Sequence, residues 1–262
     1  MRIVYIGAGR LATNLAPALH QAGHEVIQVY SRTLASAAAL AERLGAEAVC
    51  DLSAVSRKAD VYIFSVTDTA LPELVKELGE GREQAVFLHT AGSVPLSVFP
   101  AVLPHHGVLY PMQTFSKERK VDLAHVPFFI EGSDEFSLHT AQVLASSVSS
   151  QVRELSSEAR RHLHLAAVFA CNFANHCYEL SAEILNRYGL PFEVMLPLID
   201  ETAAKVHELS PLQAQTGPAV RYDENVMQAQ KQLLSDLPLH AQAYELLSQS
   251  IHYSQQTYNH HD

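Results

Sequence analysis

Short β-branched runs alternate with helical patterns through the first 150 residues. The runs predict strands at Arg2–Ile6, Val26–Tyr30, Glu47–Cys50, Asp60–Val66, Ala85–His89, Gly107–Tyr110, Phe128–Glu131 and Gln151–Glu154. Between them, the 3.6-residue period predicts a helix over Arg10–Gln21, stopped at Gly23, and another over Ala35–Leu44, stopped at Gly45. A third runs from Pro72 to Leu78, and Ser133-Asp134 caps a fourth over Glu135–Ser146. Strands that alternate with helices form βαβ units, so the first domain is expected to be α/β, with a mainly parallel, doubly wound sheet over residues 1–155. From about Ser157 only helices are predicted, with breaks at Gly189-Leu190-Pro191, Ser210-Pro211, Thr216-Gly217-Pro218 and Asp236-Leu237-Pro238. An all-α domain over 156–262 is therefore expected to follow. Its first helix, Glu158 to Tyr188, is apolar around most of its circumference between Leu163 and Cys177 and should be buried on all sides. About a hundred residues offer too few neighbours for that, which predicts a homodimer packed through the helical domain.

Composition narrows the class of protein. The chain has 262 residues, 48% of them apolar and 18% charged, with a formal net charge of −10. That balance is ordinary for a globular protein and argues against nucleic acid or an anionic membrane as the principal partner. The stretch from Val94 to Met112 is apolar but carries Pro95, Pro100, Pro104 and Pro111, so it is not expected to be a membrane helix. Cys50, Cys171 and Cys177 form no CxxC pair, which fits a reducing compartment. Only six residues precede Gly7 and they read as a strand, so a cytoplasmic location is expected. Within this acidic chain, residues 1–32 hold three arginines against one glutamate and would welcome an anion.

Gly7-Ala8-Gly9-Arg10-Leu11-Ala12 fits G-x-G-x-x-G/A between a strand and a helix, the context that gives this motif weight as a Rossmann dinucleotide site. The first glycine makes the turn, the second admits the pyrophosphate, and the free N–H groups at the helix start hold its charge. The second strand ends in Ser31-Arg32-Thr33, with none of the acidic residues that accept from the ribose of NAD. Small polar and basic residues there suit a 2′-phosphate, so the expected cofactor is NADP(H), with Arg32 pairing with the phosphate or stacking on the adenine. Val66-Thr67-Asp68 and Thr90-Ala91-Gly92 close two further strands at the edge where ligands of open α/β sheets bind, and they should line the nicotinamide half. An Asp before a helix is ordinarily its N-cap, which is the plainer role for Asp68. No Cys/His cluster has zinc spacing, and His162 and His164 lie about 200° apart on one helix, so no metal is expected. Asn172, inside the apolar helix, reads as a buried amide whose partner a substrate could supply.

On Gly7–Ala12, Ser31-Arg32-Thr33, His89–Gly92, Tyr110–Phe115, the segment from His164 to Asn172 and Thr216–Asp223, the chain resembles a family of bacterial proteins. In these a Rossmann-like domain precedes a helical domain of uncharacterised function, and they are labelled NADP- or deazaflavin-dependent oxidoreductases. The wider superfamily is similar to pyrroline-carboxylate reductase, ketopantoate reductase and the β-hydroxyacid dehydrogenases. The resemblance implies a small-molecule substrate between the nucleotide domain and a dimeric helical domain, with Tyr110, Gln113, Thr114, Arg221 and Asp223 as pocket groups. The hydroxyacid dehydrogenases carry a general-acid lysine one helical turn before their asparagine, where this chain has Val168. Tyr110 and Tyr222 also stand where many relatives have His and Gly. His164, about 80° around the helix from Asn172, is the expected substitute for the missing acid, since an imidazole titrates near neutrality. The expected function is NADPH-dependent reduction of a small carbonyl or imine, with His164 as proton donor and Asn172 holding substrate. A non-catalytic NADP sensor and hydride exchange with a deazaflavin are the alternatives.

Overall fold

A computed structural model describes residues 1–259. The N-terminal part is an eight-stranded sheet: β1 (Arg2–Ile6), β2 (Glu25–Tyr30), β3 (Glu47–Val49), β4 (Val61–Phe64), β5 (Val86–His89), β6 (His106–Pro111), β7 (Phe128–Gly132) and β8 (Val152–Glu154). They lie in the order β3-β2-β1-β4-β5-β6-β7-β8. Strands β1 to β6 pair in parallel, β7 runs antiparallel to β6, and β8 runs parallel to β7. The winding reverses between β1 and β4, which places the loops after these two strands side by side at the carboxyl edge.

The central strands read as continuous apolar runs because helices and loops cover both faces. Ile3, Tyr5, Val26, Val29, Val61 and Ile63 pack with residues of α1 (Ala12–Gln21), α2 (Leu34–Ala41) and α4 (Glu135–Ser146). The alternate positions Val4, Ile6, Tyr62, Phe64 and Phe87 pack on the other face with α3 (Leu71–Gly79), Phe99 and Leu103. Alternation along each strand thus divides the core between two layers.

The remaining helices are α5 (Ser157–Ala167), α6 (Ala174–Arg187), α7 (Leu196–Glu208), α8 (Pro211–Ala214), α9 (Pro218–Arg221), α10 (Glu224–Gln232) and α11 (Pro238–Asn259). The chain divides into two compact units, Met1–Phe173 and a helical remainder that begins at Ala174. The first unit therefore runs past residue 155 and takes in α5. The single helix expected over 158–188 is interrupted by a π-helical turn at Val168–Phe173. Hydrophobic periodicity does not register such a turn, because it changes the backbone bonding without adding a polar break.

Within one chain this helix is not buried on all sides, the shortage of cover from which the sequence predicts a second copy. Leu165 is 55% exposed, Phe169 64% and Phe173 50%, and Asn172 is exposed rather than a buried amide. The cause is a shortage of neighbours: beyond residue 173, Ala219, Leu234 and Ser248 are the buried positions among the described residues. No described helix is long and apolar enough to cross a membrane.

Candidate functional site

The turn after β1 is built around Gly7. Its φ is +108°, a region that side chains rarely adopt, and a Cβ there would lie 2.3 Å from the Ser65 carbonyl oxygen. The chain itself therefore demands a glycine. Gly7→Ala is expected to lower stability by about 1–3 kcal/mol from the backbone conformation, with the Ser65 clash adding to it; urea unfolding measures the loss.

Gly9 is different. Its nearest non-neighbouring atom would be the Ser65 carbonyl oxygen, 3.9 Å from a built Cβ, so nothing in the protein crowds it. The space in front of it is a cleft of about 390 Å³ lined by Gly7, Ala8, Gly9, Ser31, Arg32 and Ser65, among others. The following helix, α1, has Leu11 at its N-cap and no side-chain cap; the Thr13 and Asn14 N–H groups bond the Gly9 and Leu11 carbonyls, which leaves the N–H groups of Arg10, Leu11 and Ala12 for an anion. A glycine whose small size serves the cleft, an uncapped helix start and Arg32 fit a pyrophosphate-bearing nucleotide.

Several predicted cofactor residues line this cleft: Gly7, Ala8, Gly9, Ser31, Arg32, Val66 and Thr67. Tyr30, Ser36, Ser65, Ala70, Leu74 and Lys117 join them without having been singled out by sequence. No carboxylate is among the lining residues. Arg10 and Leu11 lie in the turn beside the cleft rather than on its wall; the Arg10 carbonyl accepts from the Thr13 hydroxyl and the Asn14 amide. Thr33 is the N-cap of α2, accepting from the Ser36 N–H, and stands outside the lining. Asp68 caps nothing: the N-cap of α3 is Ala70, and Asp68 instead accepts a hydrogen bond from Ser93. That bond ties the loop after β4 to the loop after β5. Thr90 is buried, its hydroxyl 3.1 Å from the Phe64 carbonyl and 3.2 Å from Ser65 Oγ, so it joins the same two strand ends.

A second constellation forms beyond β5. Tyr110 Oη and His164 Nδ1 lie 3.0 Å apart in a hydrogen bond. Both rings press on Gly92, where a Cβ would sit 2.5 Å from His164 Nδ1 and 2.9 Å from Tyr110 Cζ. Gly92, Tyr110 and His164, from three separated stretches of sequence, therefore meet at one point. Burial raises the Tyr110 hydroxyl above its ordinary pKa, against a smaller opposing pull from Arg160, so the phenol keeps its proton; it donates to Nδ1 where that nitrogen is bare and accepts from it where Nδ1 carries the proton. His164 also lines an open cleft of about 720 Å³ with Ser93, Pro95, Glu158, Arg161 and Leu165.

Arg160 holds this arrangement. It lies one helical turn before His164 and is fully buried. Its guanidinium bonds Glu131 of β7 and, at 2.6 Å, the Val94 carbonyl in the loop that carries Gly92. Glu131 in turn accepts from the Ser157 N–H at 2.9 Å and the Ser157 hydroxyl at 2.7 Å at the start of α5. Arg160, Leu163 and Ala167 share an i, i+3, i+7 stripe, so the sequence does carry a signal: a cation on a core-facing stripe requires a partner.

His89 is fully buried against Phe99, and its Nδ1 accepts from the Ala91 N–H at 3.2 Å. Burial, aided by the Arg160 and His106 charges, lowers its pKa to about 3. The unfolded chain takes up a proton near pH 6.5 that the folded chain refuses until about pH 3, so this contribution to stability is complete above pH 6.5 and is lost as pH falls from there. Denaturant unfolding between pH 7 and 4 should show that decline, and His89→Gln should flatten it.

Of the other predicted residues in the first unit, Gln113 and Thr114 line neither cleft. Gln113 and Thr114 are exposed, and the Gln113 side chain accepts from the Thr114 N–H. Ala91 lies between Thr90 and Gly92, its N–H given to His89. Arg221 and Asp223 belong to the helical unit, where Asp223 caps α10. Among the described residues no group of three metal-ligating side chains occurs.

The fold and its cleft define a protein of the Rossmann nucleotide-binding class. Two family models match: the Rossmann-like domain over residues 1–112 and the Domain of unknown function (DUF2520) over residues 126–251. A Bacteroides fragilis protein of solved structure, provisionally named an NADP oxidoreductase, is 55% identical with a TM-score of 0.92; the match covers 96% of this chain and 98% of that one. The chain belongs to this family, in which a Rossmann-like domain precedes a DUF2520 domain. A Thermotoga maritima protein is 22% identical with a TM-score of 0.73, over 98% of this chain and 99% of its own. An imine reductase from Myxococcus stipitatus, solved in complex with NADP+, is 16% identical with a TM-score of 0.72, over 98% and 95%. These last two share the fold. No curated protein matches the chain.

Proposed function

We propose that the protein is an NADP(H)-dependent oxidoreductase that reduces a small carbonyl or imine. The observation that carries this reading is the cleft at the carboxyl edge of β1, β2 and β4, where Gly9, Ser31 and Arg32 face a space without a carboxylate. The provisional name of the Bacteroides fragilis relative, an NADP oxidoreductase at 55% identity, supports it.

Gly7–Gly9 and the start of α1 would hold the pyrophosphate, while Ser31 and Arg32 would hold the 2′-phosphate. Bound there, the nicotinamide supplies a hydride to the substrate carbon. The protein must then supply a proton to the oxygen or nitrogen. Tyr110 occupies His164 Nδ1, which leaves Nε2 as the nitrogen that can meet a substrate. The protonated imidazole, its Nδ1–H given to the Tyr110 oxygen, passes its Nε2 proton to the substrate, and the neutral ring that remains keeps its proton on Nδ1 and its bond to Tyr110. Asn172, exposed on the π-helical turn, is available to hold substrate, with Gln113, Thr114, Arg221 and Asp223 as further polar groups. The exposed Leu165, Phe169 and Phe173, with the sparse burial beyond residue 173, favour a homodimer in which a second copy covers these side chains. The cysteine content favours a reducing compartment, the cytoplasm.

Following NADPH absorbance at 340 nm against a panel of keto acids, aldehydes and cyclic imines tests the reading. Turnover of one class is expected. Tight NADPH binding without turnover of any compound would instead establish the sensor alternative.

A further inference from the structure

The loop between β6 and β7 is tied down at the nucleotide end of the sheet. Asn14, in the first turn of α1, is nearly buried, and its side chain spans two distant segments. Its Nδ2 donates to the Arg10 carbonyl at 2.9 Å and to the Ser116 carbonyl at 3.1 Å, while its Oδ1 accepts from the Val121 N–H at 3.0 Å. Phe115 and Val121 pack against the core on either side, and Leu123 and Val126 are buried in it. The segment 115–121 is thus a strap fastened at both ends beside the glycine-rich turn, and it carries Lys117, Arg119 and Lys120 against Glu118.

Lys117 is the strap residue that lines the cleft. About a hundred residues separate it from Gly9 in sequence, and the Asn14 clamp brings the two together. With Arg32 it forms the charged lining of a cleft that contains no carboxylate, in a chain whose formal net charge is −10. An exposed lysine held at the mouth of a nucleotide cleft is a compact point charge suited to phosphate.

We propose that Lys117 is a phosphate-binding residue of the cofactor cleft and that Asn14 is the positioning residue that holds its strap over the start of α1. This rests on the reading of the cleft as a dinucleotide site. The ligand chemistry is a phosphate of the dinucleotide, either the pyrophosphate beside Gly7–Gly9 or the 2′-phosphate beside Arg32.

The test is fluorescence titration of the full-length protein with NADPH and with NADH, for wild type, Lys117→Gln, Asn14→Ala and the double variant. Lys117 is exposed, so its replacement leaves the core intact, and a circular-dichroism melt checks the Asn14 variant. Lys117→Gln is expected to raise the NADPH dissociation constant about tenfold, the loss of one charge-assisted contact. An equal rise for NADH places the lysine on the pyrophosphate, and a rise for NADPH alone places it on the 2′-phosphate. Asn14→Ala should produce a similar rise, and the double variant little more than either single change, because both act through one contact. Unchanged affinity for both nucleotides in Lys117→Gln overturns the proposal while leaving the dinucleotide reading in place. A wild-type protein that binds neither nucleotide overturns that reading itself.

Discussion

Arg160→Ala is expected to cost about 3–5 kcal/mol of stability, the range for removing one partner of a buried ion pair. The Arg160 side chain is 1% exposed and that of Glu131 17%, so the change strands a carboxylate in a nearly dry setting. It also leaves the Val94 carbonyl without its donor. Arg160→Met, which keeps much of the volume, should recover the packing share of the loss but not the electrostatic share. Urea unfolding of the three proteins measures both. A loss under about 1 kcal/mol would mean that the network does not hold α5 to the sheet.

The second large effect concerns His164. His164→Ala should reduce turnover about 10²- to 10⁴-fold, the usual contribution of a positioned proton donor, while NADPH affinity stays near wild type. Tyr110→Phe removes the hydroxyl that meets Nδ1 and keeps the ring against Gly92, so it should cost less, about tenfold. Pre-steady-state NADPH oxidation on whichever substrate class the panel finds reads the chemical step directly. Wild-type turnover in His164→Ala would remove the proton-donor role. An accompanying loss of NADPH binding would show that His164 serves the cofactor site instead.

The nucleotide half was legible because its signals are local. Gly7, Gly9 and the absent acid after Tyr30 are read within single turns, and short β-branched runs between helical patterns marked the strands of the sheet. Lys117 and Arg160 were not legible in the same way. Lys117 reaches the cleft through Asn14, a contact spanning about a hundred residues, and no periodicity encodes such a bond. The meeting of Gly92, Tyr110 and His164 likewise depends on how α5 is anchored to β7 and to the loop after β5. Thr33 and Asp68 show the converse limit: residues of the right chemistry in the right loop were spent on a helix cap and a loop-to-loop bond. The apolar stretch beyond Leu163 was read as needing cover that one chain does not supply, and within one chain it is exposed; what composition did not register is the π-helical turn at Val168–Phe173 and the exposure of Asn172 on it.

The central claim is that the cleft in front of Gly9 takes NADP(H). Calorimetric titration of the wild-type protein with NADPH and NADH, alongside Gly9→Val, tests it most directly. The account predicts one NADPH site per chain, NADPH preferred to NADH by at least about tenfold through Arg32, and loss of both in Gly9→Val, with a circular-dichroism melt checking the fold, since a Cβ there lies 3.9 Å from the Ser65 carbonyl oxygen. Equal or tighter binding of NADH, or NADPH binding untouched by Gly9→Val, would contradict it.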